Sequence, residues 1–266
     1  MWRRSRTVAQ CLVIIALGAA SVAHAAGQHY EGYAYAISDG KLLYRESHWK
    51  YTEGDIERHL VVYRCVNGDP FARKHIDAVA GAATPNFDML DARSGYREGV
   101  RTRQGDREVF AQADARASER RAPLTVPQNA VIDVGLDAFV RAHWNVLSDT
   151  GVSPVPILVP SRLGYIDFSA RKLRDERVDG NDVRWFRLTL ANWAWVGFAL
   201  PRIEVGYDAL THERREYRGL IDIRDADNRN LNVRIDFPPA ERRSDISPAD
   251  FARAAEMPLT GRCSFH

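Results

Sequence analysis

The 266-residue chain reads as a mainly β protein, a curved antiparallel sheet or incomplete β-barrel with one helix across its concave face and a short helix near the C-terminus. Period-two alternation is the first observation behind this. Tyr33, Tyr35 and Ile37, then Phe186, Leu188 and Leu190, then Ile203, Val205 and Tyr207, then Leu231, Val233, Ile235 and Phe237 alternate with small or polar residues, so each run buries one face of a strand. Turn signals are the second: Ser38-Asp39-Gly40, Glu53-Gly54-Asp55, Asn67-Gly68-Asp69-Pro70, Gln104-Gly105-Asp106, Asp179-Gly180-Asn181-Asp182 and Asp225-Ala226-Asp227-Asn228. Gly and Asn supply the positive φ of tight hairpins. Strands joined this closely must be antiparallel, because a parallel crossover takes about a dozen residues or more, and an α/β sheet is thereby excluded.

The elements follow in order. Arg3, Arg4 and Arg6 precede the apolar stretch Cys11–Val22, and Ala23-His24-Ala25 is a small-x-small cleavage pattern, so residues 1–25 read as an export signal. The stretch is too short to span a bilayer, which takes roughly 20 residues, and the Arg-Arg pair lacks the apolar pair and lysine of a twin-arginine signal. The expected location is the periplasm, with no transmembrane anchor. Residues 26–266 read as a single β-rich domain: a strand block over 30–115, a helix over 130–148, a second strand block over 163–238 and a short helix over 247–256. In the central helix Ile132, Leu136, Phe139, Val140, His143 and Leu147 share one face, with Asn129 as N-cap. Pro123–Pro127 and Pro154–Pro160 read as connectors flanking it. Ser247, Pro248 and Asp250 mark the start of the last helix.

Charge and cysteines narrow the function classes. Three of the charges behind the formal +2 are Arg3, Arg4 and Arg6, so the remaining chain stands at −1, which gives no basis for binding nucleic acid. Cys11 belongs to the signal. Cys65 and Cys263 are then an even pair in an oxidising compartment and are expected to form a disulfide closing a loop of roughly 200 residues.

Apparent catalytic motifs fail on geometry. His212-Glu213-Arg214-Arg215-Glu216 is half a zinc-protease signature, but on a strand His212 and Glu216 stand about 13 Å apart, too far to share one metal. Asp225-x-Asp227 resembles a calcium loop, with Arg229 where an oxygen ligand belongs. No nucleophile elbow, phosphate-binding loop or dinucleotide fingerprint occurs, so neither a metal nor a cofactor is expected. His48 shares a strand face with Tyr44 and Glu46, and His59 lies on another strand with Cys65; acid–base chemistry and a structural role are both open for these histidines.

The aromatic cluster points further. Trp185, Phe186, Trp193, Trp195 and Phe198 fall within fourteen residues. Such a run either fills a core or lines an apolar cavity, where indoles offer a large face and one N–H donor. In the cavity reading Trp185, Trp193, Trp195 and Phe198 are joined by Phe139 and Trp144 from the helix and by Phe168 from a neighbouring strand.

The later strands, with Tyr207-Asp208, Tyr217-Arg218-Gly219, Asp222, Asp225 and Val233-Arg234-Ile235-Asp236-Phe237, resemble a family of secreted proteobacterial proteins of unknown function, and Tyr30-Glu31-Gly32-Tyr33 and Leu43-Tyr44-Arg45-Glu46 fit the same pattern. The layout is similar to that of the periplasmic lipoprotein carriers, from which the chain departs in its long first strand block. The resemblance implies a non-catalytic envelope carrier for a lipid or other apolar ligand. An envelope accessory protein with a filled core that engages a protein partner, and a hydrolase with a site assembled by the tertiary fold, are the alternatives.

Overall fold

The computed structural model describes residues 27–149, 151–191 and 202–265; the segment expected to be an export signal, Trp193, Trp195 and Phe198 lie outside them. The described chain is mainly β, a 15-stranded antiparallel sheet that does not close. The first half is a meander of β1 (Gly27–Ala36), β2 (Leu42–Glu53), β3 (Ile56–Cys65), β4 (Pro70–Val79), β5 (Asn86–Asp91), β6 (Tyr96–Arg103), β7 (Asp106–Gln112) and β8 (Arg120–Pro123). The second is a meander of β9 (Val152–Val159), β10 (Gly164–Val178), β11 (Asn181–Leu190), β12 (Ile203–Asp208), β13 (Arg214–Arg224) and β14 (Asn230–Asp236). They join where β1 pairs with β14, Tyr33 facing Asp236 and Ala36 facing Val233. β15 (Arg243–Ile246) pairs with the start of β1. The free edges are therefore β8 and β9, both from the middle of the chain.

Each hairpin is dictated locally. Between β10 and β11, Asp179 and Gly180 both have positive φ (49° and 80°), the two-residue turn whose twist matches its strands.

Three helices accompany the sheet in the described residues: α1 (Gly135–Ala142), α2 (Trp144–Ser148) and α3 (Pro248–Glu256). The single helix expected over 130–148 differs in two respects. It breaks at His143, and its first turn is absent because Asp133 adopts a positive φ of 50° and its carboxylate accepts the Val134 N–H at 2.7 Å. Asn129 is not the cap. Val131 is instead extended along the edge of β9, donating to the Pro156 carbonyl at 2.8 Å and accepting from the Leu158 N–H at 3.0 Å. The neighbouring Ile132 N–H reaches the Ala83 carbonyl at 3.0 Å. Satisfying edge-strand backbone outweighs the weak helical preference of a Val-Ile pair.

The stretch Pro154–Pro160, expected as a connector, contains most of strand β9. Prolines are tolerated because this is an edge strand, where a missing N–H costs no ladder bond on the open side. Beyond β9 the turn Pro160–Arg162 packs against β6 and β7, and Arg120 donates to the Ser161 carbonyl at 2.6 Å. Residues 131–132 and this turn thus bridge the gap between the free edges.

Buried side chains form three groups. The inner face of β1–β7, β13 and β14 holds Tyr44, Tyr63, Phe71, Phe87, Met89, Val233, Ile235 and Phe237. α1 and α2 pack onto the inner face of β9–β12 through Leu136, Phe139, Val140, Trp144 and Leu147 against Phe168, Phe186, Leu188, Val205 and Tyr207. α3 lies on the outer face, where Ala254 and Phe251 meet Trp49, Leu60, Val62 and Ile246. Ser247 caps α3 reciprocally with Asp250.

Candidate functional site

A cavity of about 400 Å³ lies between the sheet and the α1 segment, within the roughly 300–1,000 Å³ of small-molecule sites. Its lining mixes apolar and ionic side chains, with Val61 and Phe87 of the first meander and Tyr217 and Leu220 of β13 among the apolar ones. From the second meander and the α1 segment come Val131, Leu136, Ile157, Leu158, Ile166, Phe168 and Ile203; from the first come Glu46, His48, Tyr63, Lys74 and Glu98, with Asp222 and Arg214 from β13 and Asp133 from the turn before α1.

The polar side is held by buried ion pairs. Lys74, 4% exposed, reaches Asp133 at 2.5 Å and also contacts Asp222. Burial disfavours its ammonium, but the two aspartates outweigh that and hold the group well above the usual lysine range. Burial pushes the Asp133 carboxyl up despite Lys74. Glu98, 5% exposed, accepts a hydrogen bond from the Tyr96 hydroxyl, and Arg224 donates to that hydroxyl at 2.9 Å. Burial, with the charge of Asp222 behind it, pushes the Glu98 carboxyl up to about 7.

At the adjoining wall the Glu46 carboxylate accepts from the Tyr44 hydroxyl at 3.2 Å and meets His48 Nε2 at 3.0 Å, while His48 Nδ1 meets His59 Nε2 at 3.0 Å. Tyr30 stacks on His48 with centroids 4.4 Å apart. Burial lowers both histidines, His59 strongly, so the pair stays neutral and held in a hydrogen-bonded chain. No Ser, Thr or Cys bonds to either ring among the described residues; Ser47 lies on the other face of β2 and donates to Glu31 at 2.9 Å. Arg214 stands 3.6 Å from Asp137 and 4.5 Å above the Phe237 ring, and the Tyr207 hydroxyl donates to Asp137 at 2.8 Å.

These shifts set opposing pH dependences. With its folded pKa raised, Glu98 keeps a proton the unfolded chain releases, so its penalty is absent below about pH 4.5 and complete above about pH 7. Buried His48 and His59 act in the other direction: below an unfolded value of about 6.5 the unfolded chain takes up protons the folded one refuses, and stability falls on acidification. Glu98→Gln, which retains an acceptor for Tyr96, is expected to stabilise the protein by on the order of 3 kcal/mol at pH 8 and hardly at all at pH 4.5. Urea unfolding at the two pH values checks this; an equal gain at both would mean Glu98 is not the titrating group.

The sequence-derived aromatic residues divide. Phe168 lines the cavity. Phe139 and Trp144 lie in the packed layer of α1 and α2, with Trp144 edge-on to Phe186 at 5.3 Å and His212 stacked on it at 3.8 Å. Trp185 points to the opposite face of β11 from Phe186, between the Arg174 and Arg218 guanidiniums at 4.5 and 5.1 Å. Cys65 and Cys263 are disulfide-bonded. The polar cavity residues had a signal that alternation alone left unused. Lys74 lies in phase with Ala72 and Ile76, and Glu98 with Tyr96 and Val100, so charged residues occupy inward positions.

Fold and site together define an incomplete antiparallel β-barrel enclosing a polar-and-apolar cavity. No family profile and no curated protein matches the chain. Among solved structures it is similar to a β-barrel-like protein of the domain of unknown function DUF1849 from Brucella abortus, at 8% identity and a TM-score of 0.45 over 80% of this chain and 95% of that one. A DUF1329 family protein from Desulfovibrio piger matches at 12% identity and a TM-score of 0.32, over 87% and 91%. An outer membrane lipoprotein-sorting protein domain from Vibrio parahaemolyticus matches at 9% identity and 0.25, over 86% and 90%. Among the described residues no helix is long and apolar enough to cross a membrane.

Proposed function

We propose that this chain is a non-catalytic binding or carrier protein of the cell envelope whose barrel cavity takes a small amphiphile. One observation carries the reading: within a lining that is largely apolar, from β9, β10 and β12 round to Val61, Phe87 and Leu220, the charged groups Glu46, Lys74, Glu98, Asp133, Arg214 and Asp222 also face the cavity. A molecule with one apolar chain and one polar end matches that lining. Burying a chain there contributes roughly 0.8 kcal/mol per methylene, enough for micromolar binding once association costs are met. Phe168 is the aromatic contact to the chain, with Phe139 and Trp144 supporting the helix behind it. A disulfide between Cys65 and Cys263 suits the oxidising periplasm to which the N-terminal export pattern directs the chain.

The test is uptake of the neutral apolar dye N-phenylnaphthylamine, followed by its fluorescence, with displacement by single-chain amphiphiles. Saturable micromolar binding is expected, reduced at least tenfold by Ile166→Trp, which fills the apolar side. Absence of uptake by folded wild-type protein, with no amphiphile detected by calorimetry, overturns the reading.

A further inference from the structure

The composition of the polar wall bears on which head group fits. Four carboxylates line the cavity, Glu46, Glu98, Asp133 and Asp222, against the interior cations Lys74 and Arg214; Arg162 stands exposed at the rim. Lys74, the cation beside Glu98 in the lining, is already engaged. It lies between Asp133 and Asp222, whereas Arg214 stands 3.6 Å from Asp137, away from the Glu98 end, and keeps an Nε with no partner among the described residues. Arg224 is linked to Glu98 through the Tyr96 hydroxyl. Among the described residues no lysine or arginine forms an ion pair with Glu98 or with Glu46, and Glu98 is 95% buried at the cavity surface. A second group is open to a hydroxyl head, which can both donate to and accept from it. Tyr63 is 97% buried and lines the cavity, its ring faces the Lys74 ammonium at 6.0 Å, and its hydroxyl has no hydrogen-bond partner among the described residues.

An anionic head placed beside Glu98 meets surplus carboxylate and finds Lys74 occupied, so it is desolvated with little compensation. A head that donates hydrogen bonds meets the Glu98 carboxylate, and a hydroxyl head can bond the Tyr63 hydroxyl as well. We propose that the polar end of the cavity, through Glu98 and the Tyr63 hydroxyl, selects amphiphiles whose head groups donate hydrogen bonds and carry no net negative charge, an ammonium or a hydroxyl. This rests on the carrier reading above and specifies its ligand class.

Calorimetry with three twelve-carbon probes at pH 8, each below its micelle concentration, tests it: dodecylamine, 1-monododecanoylglycerol and dodecanoate. The amine and the glycerol ester are expected to bind at least tenfold more tightly than dodecanoate, about 1.4 kcal/mol. Glu98→Gln should remove most of the amine's advantage. Tyr63→Phe, which deletes an unbonded hydroxyl without changing the packing, should weaken the glycerol ester severalfold while leaving the melting temperature within a degree or two. Dodecanoate binding as tightly as the amine overturns the head-group assignment and leaves the carrier reading standing. Preference for the amine and ester that survives both substitutions overturns the assignment to Glu98 and Tyr63. Failure of all three probes to bind removes the carrier reading, and this inference with it.

Discussion

Replacing Cys65 and Cys263 together by serine is expected to lower the unfolding free energy by about 2–5 kcal/mol. The bridge spans 198 residues of sequence, and loop-closure entropy for so long a loop has a ceiling of roughly 5 kcal/mol. The bond also anchors a working part of the fold. Phe265, 3% exposed, packs on Tyr44 and Phe71 with ring centroids 5.8 Å away in each case. The Arg93 guanidinium lies against Phe71 and Phe265 at 4.3 and 4.5 Å and donates to the Cys263 carbonyl. Releasing the tail should therefore expose an aromatic layer at that end of the barrel, with a melting temperature lower by roughly 10 °C for a domain of this size. Thermal unfolding of the serine variant and of wild type with and without reductant measures it. A difference below about 1 kcal/mol would show that the tail stays docked by its side chains alone.

The second large effect concerns Lys74. Lys74→Met is expected to cost about 3–5 kcal/mol, because it leaves Asp133 and Asp222 facing each other in the interior without their shared cation. The cost should shrink on acidification as one aspartate takes up a proton. It should largely vanish in Lys74→Met/Asp133→Asn/Asp222→Asn, where no buried charge is left unmatched. Asn suits position 133 particularly, since its oxygen can still accept the Val134 N–H and it tolerates positive φ. Urea unfolding of the single and triple variants at pH 5 and 8 decides the matter. A triple variant as unstable as the single one would mean that Lys74 contributes by packing and not by charge.

The strands were legible because a pleated ribbon with one dry face must alternate, and Leu231–Phe237 or Phe186–Leu190 can do little else. The two-meander sheet was only half visible: hairpins are written in neighbouring residues, whereas the pairing of β1 with β14 depends on residues some 200 positions apart. Ile132, and Val131 with it, was misread as helix since Ile132 stands four residues before Leu136; the competing demand came from the edge of β9, a tertiary fact. The candidate site was hidden for a different reason. Lys74 sits between Arg73 and His75, and Asp222 shortly precedes the charged run Arg224-Asp225-Ala226-Asp227, where composition suggests a wet surface. Phase, not composition, betrays them, and only if a charge among apolar neighbours on one face is read as a signal. The aromatic cluster drew attention to Trp185, yet that indole lies outward under two guanidiniums.

The join of β1 to β14 has a kinetic corollary. Each meander is assembled from short-range hairpins that can zip early, but the ladder uniting them brings together Tyr33 and Asp236, a contact whose loop must be closed before it returns any energy. Until the last strands are in place, β1 presents a bare, largely apolar margin to its surroundings. The slow step in maturation is thus the stitching of two half-sheets, and the interval before it is when this chain is most exposed to mispairing with its neighbours.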